Sequence, residues 1–139
     1  APALQTDFDT ATRARHFWEE LGFTVVRVPD GAGLVRPRMV CALINETVQT
    51  MTAHSLSAEA ADSAVQLGLN HPRGPLSWAD EIGLDVVVGT LEGLWRAWGD
   101  ERYHPAPLLR QKVFAGHLGR KAGRGFYDYD APAPRSAAL

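Results

Sequence analysis

The stretch Leu84-Asp85-Val86-Val87-Val88-Gly89-Thr90-Leu91-Glu92-Gly93-Leu94-Trp95-Arg96-Ala97-Trp98 is the most apolar of the chain. Leu84, Val87, Val88, Leu91, Leu94, Trp95 and Trp98 recur every three or four residues, the spacing of one face of a helix over 84–98. Gly99 stops it. Upstream, the turn-rich Asn70-His71-Pro72-Arg73-Gly74-Pro75 precedes a short helix at 76–82, closed by Gly83. Before that, Ser57 caps a helix with Glu59 in its first turn, and Gly68 ends it. A longer helix over 38–54 carries Val40, Leu43, Ile44, Val48 and Met51 as its buried stripe, with Pro37 fitting its first turn.

At the N-terminal end, Phe8, Ala11, Ala14, Phe17, Trp18 and Leu21 predict an amphipathic helix over 7–21, capped by Thr6 and stopped by Gly22. The β-branched run at 23–28 reads as a strand bounded by Pro29-Asp30-Gly31. It has no partner within the chain, unless an edge, the 126–129 segment or sequence outside the chain supplies one. Downstream, Pro107 starts a helix that ends by Gly116. His117 to Arg124 is a glycine-rich basic loop. Phe126-Tyr127-Asp128-Tyr129 is a short strand or a clamp, and the Ala/Pro-rich 131–139 is a disordered tail. The fold class is all-α, about six helices with one or two short strands, in one domain over residues 1–130 whose residues 1–29 lead in.

The composition bounds the function. The chain has 139 residues, 14 Lys and Arg against 16 Asp and Glu, and a net charge of -2. That balance argues against nucleic acid or a membrane surface as partner. No apolar run approaches a membrane span. Cys41 is the single cysteine, which excludes an internal disulfide and points to an intracellular protein. The chain begins at Ala1 and in the middle of a pattern, which suggests a piece of a longer polypeptide.

Few residues carry chemistry by themselves. Gly31-Ala32-Gly33 after a strand invites a dinucleotide site, but Arg36 stands where the third glycine belongs and Pro37 interrupts the turn. His16, His54, His71, His104 and His117 lack ligand spacing. His71 reads as a loop residue bonded to backbone. Cys41 reads as a small core residue, and Ser55 and Ser57 lack a nucleophile-elbow context. Gly89 and Gly93, four apart on a helix, fit close approach by another helix or subunit, or packing within the chain. Arg120, Lys121 and Arg124 could hold a phosphate, or be ordinary solvated charge.

Several motifs occur in order. They are Leu43-Ile44-Asn45-Glu46, then Leu67 to Leu76 followed by Ala79-Asp80 and Ile82-Gly83-Leu84-Asp85. Tyr103-His104-Pro105-Ala106-Pro107-Leu108-Leu109 comes next, and Gly119 to Tyr129 closes the series. Over residues 7–130 the chain resembles the C-terminal domain of 3-hydroxyacyl-CoA dehydrogenases. The resemblance implies a helical bundle like the C-terminal domain of 6-phosphogluconate dehydrogenase, which follows an NAD-binding Rossmann domain. Residues 7–28 resemble the end of that preceding domain. The family's catalytic His–Glu pair lies in it, so the resemblance implies no catalytic residue and no cofactor on this chain, with NAD serving the full-length enzyme.

One departure matters. The family has Gly-Phe, two apolar residues and then Asn-Arg where its C-terminal domain begins, and the Asn assists the catalytic His. Here the stretch is Gly33-Leu34-Val35-Arg36-Pro37-Arg38, and Pro37 has no side-chain amide. The chain is therefore most similar to the second, degenerate repeat of long family members, which packs against the first repeat like a dimer partner. The resemblance implies an assembly and substrate-bracing role in oxidising 3-hydroxyacyl-CoA to 3-ketoacyl-CoA, in the cytoplasm, with acyl-CoA met through the full enzyme and a homodimer formed by this domain. The alternative is a free-standing module that binds acyl-CoA through Arg120, Lys121 and Arg124, or docks on a dehydrogenase. An independent small enzyme is disfavoured, because no general base stands beside a nucleophile or metal in any motif.

Overall fold

The computed structural model describes residues 1–129. The tail expected at 131–139 lies outside them. The described residues form six helices: α1 (Phe8–Glu20), α2 (Arg36–Ala53), α3 (Ala58–Gly68), α4 (Pro75–Ile82), α5 (Leu84–Trp98) and α6 (Pro107–Phe114). Single 3₁₀ turns lie at Glu101–Tyr103 and Arg120–Ala122.

α5 is the centre, as its apolar pattern predicts. Leu84, Val87, Leu91 and Leu94 are buried against α2, α4 and α6. α2 supplies Cys41, Ile44, Val48 and Met51, and Leu76, Ala79, Tyr103 and Leu109 close the core. Val40, expected within the buried stripe, only packs at its margin, and Leu43 is half-buried. α2 also begins two residues earlier than expected, at Arg36, with Pro37 in its first turn. Ser57 caps α3 by accepting from Ala60 N. Gly83 and Gly99 end α4 and α5 in positive-φ conformations, at +102° and +63°, which glycine adopts without steric cost.

Two expectations fail at the N-terminal end. The cap of α1 is Asp7, whose carboxylate accepts from Thr10 N at 2.7 Å, rather than Thr6; an ionised oxygen is the stronger acceptor at a helix N-terminus. No strand forms at 23–28. The β-branched residues favour extension, but a strand needs a ladder partner, and none of the described residues pairs with that segment. The 126–129 segment is likewise no strand. It enters only one isolated bridge, between Arg124 and Asp128, and acts as the clamp described below.

α1 packs on none of the other helices. It has no buried residue, and Phe8, Phe17, Trp18, Leu21 and Phe23 are all more than 45% exposed. An apolar face this open is unusual for a free surface.

Candidate functional site

Besides Thr47, which at 6% exposure donates to Leu43 O on its own helix at 2.8 Å, three polar side chains are buried in the bundle: Asn45 at 0%, Asp80 at 1% and Asp62 at 5% exposure. Buried groups of this kind need partners, and all three have them. Asn45 Nδ2 donates to the carbonyls of Arg102 and His104 at 3.1 and 2.9 Å, and its Oδ1 accepts from Ala106 N at 2.8 Å. It thereby fixes the loop that carries Pro105 into α6. Asp62 accepts from Leu76 N at 2.7 Å and Ser77 N at 2.9 Å, capping α4 from α3, and from the Tyr127 hydroxyl at 2.9 Å. Asp80 accepts from Phe126 N at 2.9 Å, Tyr127 N at 3.0 Å and the Tyr129 hydroxyl at 3.0 Å.

The backbone around the two aspartates is cut to fit them. A Cβ on Gly74 would strike the Asp62 side chain, and one on Gly125 the Asp80 carboxylate. This explains why the motifs carry glycine at those places. Lys112 Nζ donates to Gly125 O at 2.7 Å and lies 4.9 Å from the Phe126 ring. Partial burial lowers its pKa, opposed by the charge of Asp80. Burial, with the Asp62 carboxylate beside it, holds the Tyr127 hydroxyl well above the usual phenol range. Burial and the charge of Asp80 push Tyr129 up to about 12. Residues 119–129 thus form a strap stapled by both carboxylates. These residues build the fold and leave no free acid or base among them.

The three cations expected to meet phosphate lie on this strap. Lys121 Nζ contacts both oxygens of Asp85, at 2.5 and 2.7 Å, which holds the Asp85 carboxyl below its ordinary range. Arg124 pairs with Asp128 at 2.9 Å. Arg120 stacks over the Tyr129 ring at 4.7 Å, and no carboxylate among the described residues pairs with it. The strap brings the three together in sequence, but two of them already hold counter-ions.

The remaining candidates resolve clearly. His71 Nδ1 lies 2.7 Å from Arg73 O, the backbone-bonded role expected of it. Cys41 is buried and its thiol pKa is raised by that burial, so it is an inert core residue. No group of three or more potential metal ligands occurs among the described residues. An open cleft of about 680 Å³ between α5 and α6 is lined by Glu92, Trp95, Arg96, Gly99, Glu101 and Arg110. Arg110 pairs with Glu92 at 3.1 Å, and with Arg96 and Glu101 the lining holds two cations and two carboxylates, which gives no net preference for charge. Among the described residues nothing lies within 4 Å of an added Cβ on Gly89 or Gly93, so packing among those residues does not explain them.

The Gly31-Ala32-Gly33 turn is filled from inside. A Cβ on Gly33 would meet the Leu94 side chain, and one on Gly31 would lie 3.9 Å from Trp98. The glycines serve packing on α5, so these residues do not fit a dinucleotide. Pro37 stands in the first turn of α2, and the adjacent Arg38 donates from Nε to the Tyr103 hydroxyl at 2.6 Å while its guanidinium lies 4.4 Å over Trp98.

Sequence reasoning missed Asp62 altogether and quoted Asn45 and Asp80 only inside motifs. The available signal was a carboxylate on the apolar side of α3, beside Ala58, Ala61 and Val65. Arg38 also carried one, since a cation in the first turn opposes the helix dipole and needs compensation.

Comparison with known proteins identifies the bundle. The family description "3-hydroxyacyl-CoA dehydrogenase, C-terminal domain" matches residues 33–129. A probable 3-hydroxybutyryl-CoA dehydrogenase of Bacillus subtilis is 44% identical over 91% of this chain and 44% of its own length. The 3-hydroxyadipyl-CoA dehydrogenase of Escherichia coli is 37% identical over 76% of this chain and 22% of its own. The crystal structure of (S)-3-hydroxybutyryl-CoA dehydrogenase from Ralstonia eutropha superposes with a TM-score of 0.88 at 40% identity, covering 92% of this chain and 45% of that one. The chain spans less than half the length of these relatives. It belongs to the 3-hydroxyacyl-CoA dehydrogenase family and comprises that family's C-terminal domain.

Proposed function

We propose that this chain is the assembly and substrate-bracing domain of an NAD-dependent 3-hydroxyacyl-CoA dehydrogenase, and that it performs no redox chemistry alone. In the whole enzyme the reaction oxidises a 3-hydroxyacyl-CoA to a 3-ketoacyl-CoA, with NAD taking up the hydride. The reading rests on the resemblance, which sets Pro37 at the position of the family's assisting asparagine; a proline has no side-chain amide with which to orient a catalytic imidazole. Two features support it. The polar groups inside the bundle are all committed to holding the fold, and the apolar face of α1 and Phe23 is open, as expected of the end of a preceding domain.

On this reading the domain acts as the degenerate member of a pair. Gly89 and Gly93 on the outer side of α5 let a second copy or a sister repeat approach closely. No helix among the described residues is long and apolar enough to cross a membrane. Arg120, with its guanidinium unpaired among the described residues, is the strap residue most open to an acyl-CoA phosphate. Lys121 and Arg124 would first have to leave Asp85 and Asp128.

The test is NADH formation, followed by absorbance, from 3-hydroxybutyryl-CoA and NAD with the purified chain. No turnover is expected at any enzyme concentration, and stoichiometric turnover would overturn the proposal. Sedimentation of the same sample should show a dimer, and a monomer at high concentration would remove the assembly role.

A further inference from the structure

Residues 1–29 meet the bundle through a short segment, because α1 touches none of the other helices. That segment is built as a rigid joint. Gly33 is at φ +75° and the next residue, Leu34, is at φ +48°, a left-handed conformation that a branched side chain rarely holds. Leu34 N closes a turn on Gly31 O at 3.0 Å, and Arg38 N reaches back to Gly33 O at 3.3 Å. Strain of this sort persists only where the surroundings over-determine it.

The surroundings are specific. A Cβ on Gly33 would strike Leu94 and one on Gly31 would come within 3.9 Å of Trp98, both at the C-terminal end of α5, while Ala32 between them packs against the core. Arg38, one turn into α2, lies 4.4 Å over the same Trp98 and donates to Tyr103 at 2.6 Å. Pro37 fixes one φ between them. Trp98 therefore lies beside the turn and under the Arg38 guanidinium, although it is 49% exposed. A guanidinium–indole contact at this exposure is a modest attraction, and the hydrogen bond to Tyr103 fixes its geometry.

We infer that the Arg38–Trp98–Tyr103 stack is a positioning joint, which fixes the direction in which residues 1–29 leave the bundle. This rests on the reading that residues 1–29 end a preceding domain only for its consequence, namely a set angle between the two units. The joint itself is a property of this chain.

Two spin labels test it. One is placed at Arg13→Cys on α1 and one at Gln66→Cys on α3, in a Cys41→Ala background, and the distance distribution is measured by pulsed electron resonance. The parent should give one narrow distance. Trp98→Ala should broaden the distribution by about twofold, while helical content and the thermal midpoint of the bundle hold. Should Trp98→Ala fail to fold, Arg38→Met keeps the aliphatic stem and removes the cation and donor, and the same broadening is expected. A broad distribution in the parent, or one unchanged in the folded variant, would overturn the joint. Neither outcome depends on catalysis, so failure here is separable from failure of the proposed function.

Discussion

Replacing Asp80 by alanine should be among the most damaging single changes in the chain. The carboxylate accepts from two backbone amides, Phe126 N and Tyr127 N, and from the Tyr129 hydroxyl. A hydrogen bond to a charged acceptor is worth about 1.5–3 kcal/mol, so the two amides alone give roughly 3–6 kcal/mol. Phe126 and Tyr127 are only partly buried, so water recovers part of this once the strap loosens. The net loss should lie near the lower bound, about 3 kcal/mol. The assay is urea unfolding followed by tryptophan fluorescence, with Trp78 on the same helix as Asp80. For a slope of about 2 kcal/mol/M the midpoint should fall by roughly 1.5 M. Asp80→Asn, which keeps the shape and one carbonyl oxygen, should lose about half as much. Adding Tyr129→Phe to Asp80→Ala should cost almost nothing further, because their interaction is already gone. A loss below about 1 kcal/mol for Asp80→Ala would refute the reasoning. It would show that the strap is held by its apolar contacts rather than by the carboxylate.

Asn45→Asp is isosteric but sets an oxygen against the carbonyls of Arg102 and His104; it should cost about 3 kcal/mol in the same unfolding assay. Tyr129 has a folded pKa of about 12 against an ordinary 10.0, so the folded state favours its neutral form. The stability this gives is present below pH 10 and is lost as pH rises towards 12; alkaline unfolding should begin in that window and shift upward in Tyr129→Phe. Asp85 is held low by the Lys121 ammonium, so its contribution is present above the ordinary carboxylate pKa and is lost as pH falls through the lowered folded value. In Lys121→Met, carboxyl NMR titration should find Asp85 moved back up towards its ordinary value.

Much of the fold was legible because helices announce themselves locally. The boundaries of α5 follow from its apolar period and Gly99, and α3 follows from Ser57 and Gly68. Periodicity, however, reads one face at a time and says nothing of partners. The run at 23–28 has the composition of a strand, but a strand exists only with a neighbour, and no neighbour is among the described residues. The same limit hid the polar staples. Asp62 meets Leu76, Ser77 and Tyr127 across 14, 15 and 65 positions of sequence, separations no local window contains. The glycine and tyrosine positions of the motifs were recognisable as a pattern, yet their cause, room for two buried carboxylates, is visible only in three dimensions.

The position of Pro37 links these observations to function. An asparagine there would offer a side-chain amide at the start of α2. Proline removes that amide and fixes a backbone angle instead, next to a strained Leu34 and a stacked Arg38. On the proposed reading, the first turn of α2 has a proline that stiffens the approach to the bundle where the family has an amide that acts on substrate. Arg36 and Arg38 push the same way, since two cations at a helix N-terminus are unfavourable unless their side chains are used elsewhere, and Arg38 is used on Trp98 and Tyr103. On the proposed reading, Pro37→Asn should loosen the joint without creating turnover in the isolated chain.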